Sequence, residues 1–238
     1  MTDRPIIVSL DFPTAEAALA CAKQLDPNLC QVKVGKELFT AAGPSVVETL
    51  MKQGFNVFLD LKYHDIPNTV AGACSVATRM GVWMLNVHAA GGRRMLEAAA
   101  DAVARNTPAG NAKPILIAVT VLTSLSASEL PEIGLAPDVD AAVARFASLS
   151  KDCGLDGVVC SAQEAPLMKN SFGQSFVLVT PGIRLATDAK GDQSRVVTPQ
   201  DAIKLGSDYL VIGRSITAAT NPQAVLTMIS DFLKVDHP

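Results

Sequence analysis

Residues 56–65 read NVFLDLKYHD, and what brackets that string decides the architecture. Its first six residues are a short apolar run of strand length. Immediately before it, residues 44–53 carry helical periodicity, and Gly54 closes that stretch as a helix-ending glycine does. A helix that feeds a short buried strand is half of a parallel unit, because parallel neighbours need a crossover between them.

The same alternation continues in both directions. Apolar, β-branched runs recur as PIIVSL (5–10), CQVKVG (30–35), WMLNVH (83–88), PILIAVT (114–120), GVVCS (157–161), FVLVT (176–180) and YLVIG (209–213), eight with the first. Helical stretches separate most of them. One spans residues 14–25, with Thr14 as its cap, one ends at Gly81, and one covers residues 138–153. Eight strand–helix units in 238 residues predict an α/β fold of the (β/α)8 TIM-barrel type. An open doubly wound sheet alternates too, and periodicity alone does not separate the two. No linker, charge block or low-complexity stretch divides the chain, so residues 1–238 read as a single barrel domain. Residues 183–197 form the longest irregular stretch and read as a mobile loop after the seventh strand.

Composition narrows the function classes. Hydrophobic residues make up 49%, enough for a large core. A net charge of −3 offers no basic footprint for nucleic acid or an anionic membrane. Any anionic ligand must be held by local groups. Cys21, Cys30, Cys74, Cys153 and Cys160 lack CxxC or Cys/His ligand spacing, which predicts reduced, buried thiols and no zinc site. The acid soon after the first apolar run argues against a signal peptide, and residues 114–122 are too short to span a bilayer. The expectation is a soluble, cytosolic protein with no membrane or nucleic-acid partner.

The C-terminal ends of barrel strands are where active sites are built. Polar groups stand there in most of the runs: Asp11, Lys33, Asp60 with Lys62, Asn86 with His88, Thr120 with Thr123, Ser161, Thr180, and Gly213 with Arg214. A lone charge at a strand end is usually a solvated terminus. Lys33 lies between Val32 and Val34, however, and Asp60 and Lys62 between Phe58, Leu59 and Leu61, with Asp65 in the loop beyond. Two residues apart on a strand, Asp60 and Lys62 share a face, while Leu59 and Leu61 take the other. Buried charge is costly unless paired, so an alternating network of Lys33, Asp60, Lys62 and Asp65 is expected on one rim. His64 reads as structural, His88 as making a rim hydrogen bond, Arg93 and Arg94 as a solvated helix start, and Met51, Met95, Met168 and Met228 as core fillers.

The ten residues DLKYHDIPNT, 60–69, resemble the signature of the orotidine 5′-phosphate decarboxylases. The resemblance runs through SLD ending at Asp11, KVGKELF from Lys33, WMLNVHAAGG, IAVTVLTS, DGVVCSAQE, VTPGIR, GDQ and YLVIGR, essentially the whole chain in order. It implies a homodimeric, metal-free and cofactor-free enzyme that converts orotidine 5′-phosphate to UMP and carbon dioxide. It implies further that Lys62 delivers a proton to C6, with Asp60 beside the substrate carboxylate. Lys33 would pair with Asp60 and reach the ribose hydroxyls, and Asp11 would bind the ribose. Asp65 and Thr69 would serve the partner subunit's site across the interface. Thr123 would contact the pyrimidine, and Arg184, Gln193, Gly213 and Arg214 would grip the phosphate.

Two other readings compete. One is a Mg²⁺-dependent decarboxylase or aldolase of ketose phosphates, which needs a glutamate ligand near the second strand. Lys33 stands on that strand here, and Glu37 lies too near the following helix. The other is a non-catalytic phosphosugar-binding barrel, which has no need of Lys62.

Overall fold

The computed structural model describes residues 4–185 and 197–235. Each apolar run is a strand: β1 (Ile6–Ser9), β2 (Gln31–Gly35), β3 (Val57–Tyr63), β4 (Met84–His88), β5 (Ile115–Val119), β6 (Gly157–Val159), β7 (Val177–Thr180) and β8 (Tyr209–Ile212). Every strand pairs in parallel with the next, and β1 pairs with β8, closing a barrel. Closure removes the open-sheet alternative, and the TIM-barrel expectation holds.

The crossovers carry α1 (Ala15–Ala22), α2 (Lys36–Ala42), α3 (Pro44–Lys52), α4 (Pro67–Met80), α5 (Arg93–Asn106), α6 (Val139–Asp152), α7 (Ala165–Phe172) and α8 (Pro199–Lys204), and α9 (Arg214–Thr217) and α10 (Pro222–Val235) follow β8. Their limits follow local chemistry. The Thr14 hydroxyl accepts the Ala17 N–H at 3.3 Å, and Asp138 accepts that of Ala141 at 3.0 Å, each satisfying an otherwise orphaned helical donor. Gly81 takes the left-handed conformation that ends α4, at φ 88°. Between β2 and β3 there are two helices. Gly43, at φ 64°, breaks the chain, and Pro44 starts α3 where its missing N–H is harmless.

Alternation along the strands sorts the core into two layers. Ile6, Val8, Val32, Val34, Val57 and Leu59 face outward and join the apolar layer beneath the helices. Ile7, Phe58, Met84, Ile117, Val179 and Tyr209 face inward and fill the barrel, with Trp83 edge-on to Tyr209 at 5.0 Å. Each such side chain contributes about 1.5–3 kcal/mol on burial. The barrel is thus a packed core, open to ligands only at its rim.

Some expectations need revision. Met95 and Met168 are buried and Met51 is half-buried, but Met228 is 39% exposed on α10 and fills no core. Arg93 behaves as a solvated helix start, with Glu97 at 3.6 Å and Asp152 at 3.5 Å. All five cysteines are buried and none forms a disulfide. Burial pushes the Cys30 and Cys74 thiols up to about 12, which suits packing and not nucleophilic work. Among the described residues, no helix is long and apolar enough to cross a membrane. Of the loop read at 183–197, residues 186–196 lie outside the described residues. Its two feet are joined by a parallel bridge between Ile183 and Val197.

Candidate active site

A cavity of about 570 Å³ opens at the C-terminal rim of the barrel. Its floor is apolar, formed by inward residues such as Phe58, Val159, Val179 and Val211. One wall, from β1 to β3, is charged. Asp11, Lys33, Asp60 and Lys62 stand there in alternating sign. The Lys33 ammonium lies 3.0 Å from Asp11 and 3.3 Å from Asp60, and Lys62 lies 2.6 Å from Asp60. Ser9 donates to the other oxygen of Asp11 at 2.6 Å. Gly35 makes room for this cluster, since a Cβ there would stand 3.3 Å from both the Asp11 carboxylate and the Lys33 ammonium.

Asp60 is the centre of the network and is 8% exposed. Burial works to raise its carboxyl. The Lys33 and Lys62 charges, with hydrogen bonds from Lys62 and Asn86, outweigh that and hold it below the usual carboxylate range. Asp60 is therefore held as a carboxylate between Lys33 and Lys62.

The contact of Lys62 with Asp60 does not come from simple strand alternation. Lys62 has φ 51°, the sole non-glycine with positive φ among the described residues. Such a backbone costs a side-chain-bearing residue roughly 1–2 kcal/mol. It belongs to a register shift against β4, where Leu59 pairs with Leu85 but Tyr63 pairs with Val87. Leu59 and Leu61 nevertheless face the helical layer as their spacing predicts.

The adjoining wall comes from the ends of β7 and β8. Arg184, Gly213 and Arg214 line it, and Thr123 lines the cavity from the segment after β5. Gln193 lies outside the described residues. Asp65 and Thr69 are exposed and do not line the cavity of their own chain. Within one chain the second aspartate of the network is Asp11, and Asp65 stands apart from it. The physical reason is position, because Asp65 lies beyond the strand in the turn to α4, where its carboxylate accepts the Ile66 N–H at 2.6 Å.

His88 departs from expectation as well. Its ring sits 5.4 Å from that of the exposed His64 at an interplanar angle of 37°, a tilted ring contact in place of the expected rim hydrogen bond. Thr120, Ser161 and Thr180 point to structural partners instead of the cavity: a Val159 carbonyl, the Gln163 N–H and the Ser207 hydroxyl. Two residues were missed as members of the charged cluster, Ser9 and Asn86. The signal for Asn86 was present, since a polar amide inside WMLNVH is as anomalous as Lys33 inside its own run.

An apolar floor between a lysine–aspartate wall and an arginine-bearing wall suits a ligand with a flat ring and an anionic end. The fold and the cavity together define a (β/α)8-barrel enzyme with an ammonium poised on one wall of its rim site. The chain belongs to the orotidine 5′-phosphate decarboxylase / HUMPS family, whose model matches residues 4–229. It is 57% identical to the orotidine 5′-phosphate decarboxylase of Chromobacterium violaceum, over 98% of this chain and 93% of that one. It is 58% identical to that of Laribacter hongkongensis, over 95% and 91%. Among solved structures, the orotidine 5′-phosphate decarboxylase of Lactobacillus acidophilus matches with a TM-score of 0.88 at 40% identity, covering 97% of this chain and 99% of that one.

Proposed function

We propose that this chain converts orotidine 5′-phosphate to UMP and carbon dioxide, the closing step of UMP synthesis, with Lys62 as the proton donor to C6. The observation that carries the reading is the Lys62 ammonium, held 2.6 Å from Asp60 at the end of an alternating charge network and a quarter exposed to the cavity. The C6–carboxylate bond breaks, its electron pair stays on C6, and the Lys62 ammonium supplies the proton that ends there. The departing carbon dioxide leaves a vinyl-type carbanion with little resonance relief. A fixed ammonium stabilises that charge before it protonates it. Lysine suits this work because arginine holds its proton too tightly.

The remaining roles follow the walls. Asp60 stands beside the substrate carboxylate, Lys33 and Asp11 meet the ribose hydroxyls, and Thr123 meets the pyrimidine. Arg184, Gln193, Gly213 and Arg214 take the phosphate. The reaction runs without a metal: Lys33 and Lys62 already neutralise the carboxylates that a divalent cation would need. The protein works in the cytosol, a reading supported by five buried cysteines that form no disulfide. It acts as a homodimer in which Asp65 and Thr69 complete the partner subunit's site. Supporting that reading, both are exposed and off their own cavity, and Ile66 and Val76 beside them are 67% and 53% exposed.

Loss of the orotidine absorbance, with UMP followed by chromatography, tests the reaction directly. Turnover is expected with and without excess EDTA. Lys62→Ala is expected to lose roughly a thousandfold or more in kcat, since both proton delivery and charge stabilisation go. Activity abolished by EDTA and restored by Mg²⁺ would instead point to the ketose-phosphate chemistry.

A further inference from the structure

Between the pairs Leu59–Leu85 and Tyr63–Val87, β3 carries three residues, Asp60, Leu61 and Lys62, while β4 carries one, Asn86. Asn86 is the strand's answer to this bulge. Its side chain is fully buried. Its Oδ1 accepts the backbone N–H of Lys62 at 2.8 Å, and its Nδ2 donates to Asp60 Oδ1 at 2.7 Å. The same Asp60 oxygen accepts the Lys62 ammonium at 2.6 Å. One amide thus closes a ring through the backbone of Lys62, its side chain and the carboxylate that aims it. The left-handed backbone at Lys62 has lost its regular ladder partner, and a buried N–H must have one.

From this ring we infer that Asn86 is a positioning residue for the decarboxylation: it holds Lys62 in its left-handed conformation and orients Asp60, without itself touching substrate. Asn86 is absent from the cavity lining. The inference rests on Lys62 being the proton donor. An amide fits the task because it offers one donor and one acceptor in fixed geometry. A carboxylate keeps the acceptor but turns the donor into a second negative charge beside Asp60. A protonated carboxyl restores both.

Three variants test this, with kcat, KM for orotidine 5′-phosphate and UMP affinity measured on each. Asn86→Leu is expected to lower kcat roughly a hundredfold, as misplacing a reacting group by an ångström does. KM and UMP affinity should move by less than about threefold, because the ribose and phosphate contacts survive. Asn86→Asp serves if the leucine variant fails to fold. Its kcat relative to wild type should climb as pH drops from about 8 to about 5.5, because burial beside Asp60 raises the introduced carboxyl and its protonation rebuilds the ring. Wild-type kcat in a folded Asn86→Leu protein, losses confined to KM and UMP affinity, or a flat Asn86→Asp ratio across that range would each overturn the inference. Lys62→Ala is the reference arm. If it keeps its activity, the proton-donor reading is what fails, and the Asn86 results then have no donor to report on.

Discussion

His88 ends β4 half-buried, with the His64 ring on one side and two lysines, Lys36 and Lys62, acting on it. Burial first, then His64, Lys36 and Lys62, push its imidazole down to about 4, against a smaller opposing pull from Asp60. A base weakened by folding makes the unfolded chain the better proton acceptor. The resulting stability is fully present above the unfolded value, about 6.5, and is lost as pH falls toward about 4. With solvent screening at a half-buried site, the loss is roughly 1–2 kcal/mol. Denaturant unfolding at pH 7.5 and at about pH 5 checks it. Wild type should lose that much more than His88→Gln, and equal losses in both would refute the assignment. At this scale the sequence was readable wherever a charge interrupted an apolar run, which is how Lys33, Asp60 and Lys62 stand out. For Asn86 the polar amide inside an apolar run was visible, but its membership of the cluster was not, because an asparagine at a strand end also looks like an ordinary solvated terminus. The left-handed backbone of Lys62 was hidden for another reason: period-two reasoning assigns every strand residue the same conformation.

Elements were easier to read than residues. Each strand is a short buried run and several helices carry a start or stop signal: Thr14 and Asp138 cap the starts of α1 and α6, and Gly54 and Gly81 close α3 and α4, in the sequence as in space. The bulge of β3 was not legible, since a register shift depends on what the neighbouring strand offers and not on local composition. The ends of β7 and β8 were only partly legible. A glycine and an arginine after a strand are common, and it is their shared place on one wall with Arg184 that gives them meaning. If Arg214 grips the phosphate, Arg214→Ala should cost roughly 2–5 kcal/mol in kcat/KM with orotidine 5′-phosphate, the range for losing a charged partner in a desolvated site. With orotidine lacking the phosphate, the same variant should differ little from wild type. Comparing the two substrates in one assay separates binding from folding, and an equal loss on both would assign Arg214 to the fold or the chemistry.

At the scale of the whole molecule, barrel closure is what brings the two walls together: β8 returns to β1, so residues near the two ends of the chain share one cavity. Counting eight units predicted that closure, but no count predicts which side chains stay outside. Asp65 and Thr69 sit on the same signature as Asp60 and Lys62, yet they face away from their own cavity. A site completed across a dimer would explain why an exposed aspartate belongs to that signature, and the proposal can be tested by mixing. Lys62→Ala and Asp65→Ala homodimers should each be nearly inactive, because both sites of each lack one member of a buried charge network. After dissociation, mixing in equal amounts and reassociation, about half the dimers are hybrids by random two-chain pairing. In a hybrid, one site collects both defects and the other collects none. Activity should therefore return to roughly a quarter of wild type per total site. Exchange is verified independently by mass or by a label on one variant. Should exchange be complete and activity stay absent, Asp65 acts within its own chain and the shared-site reading fails.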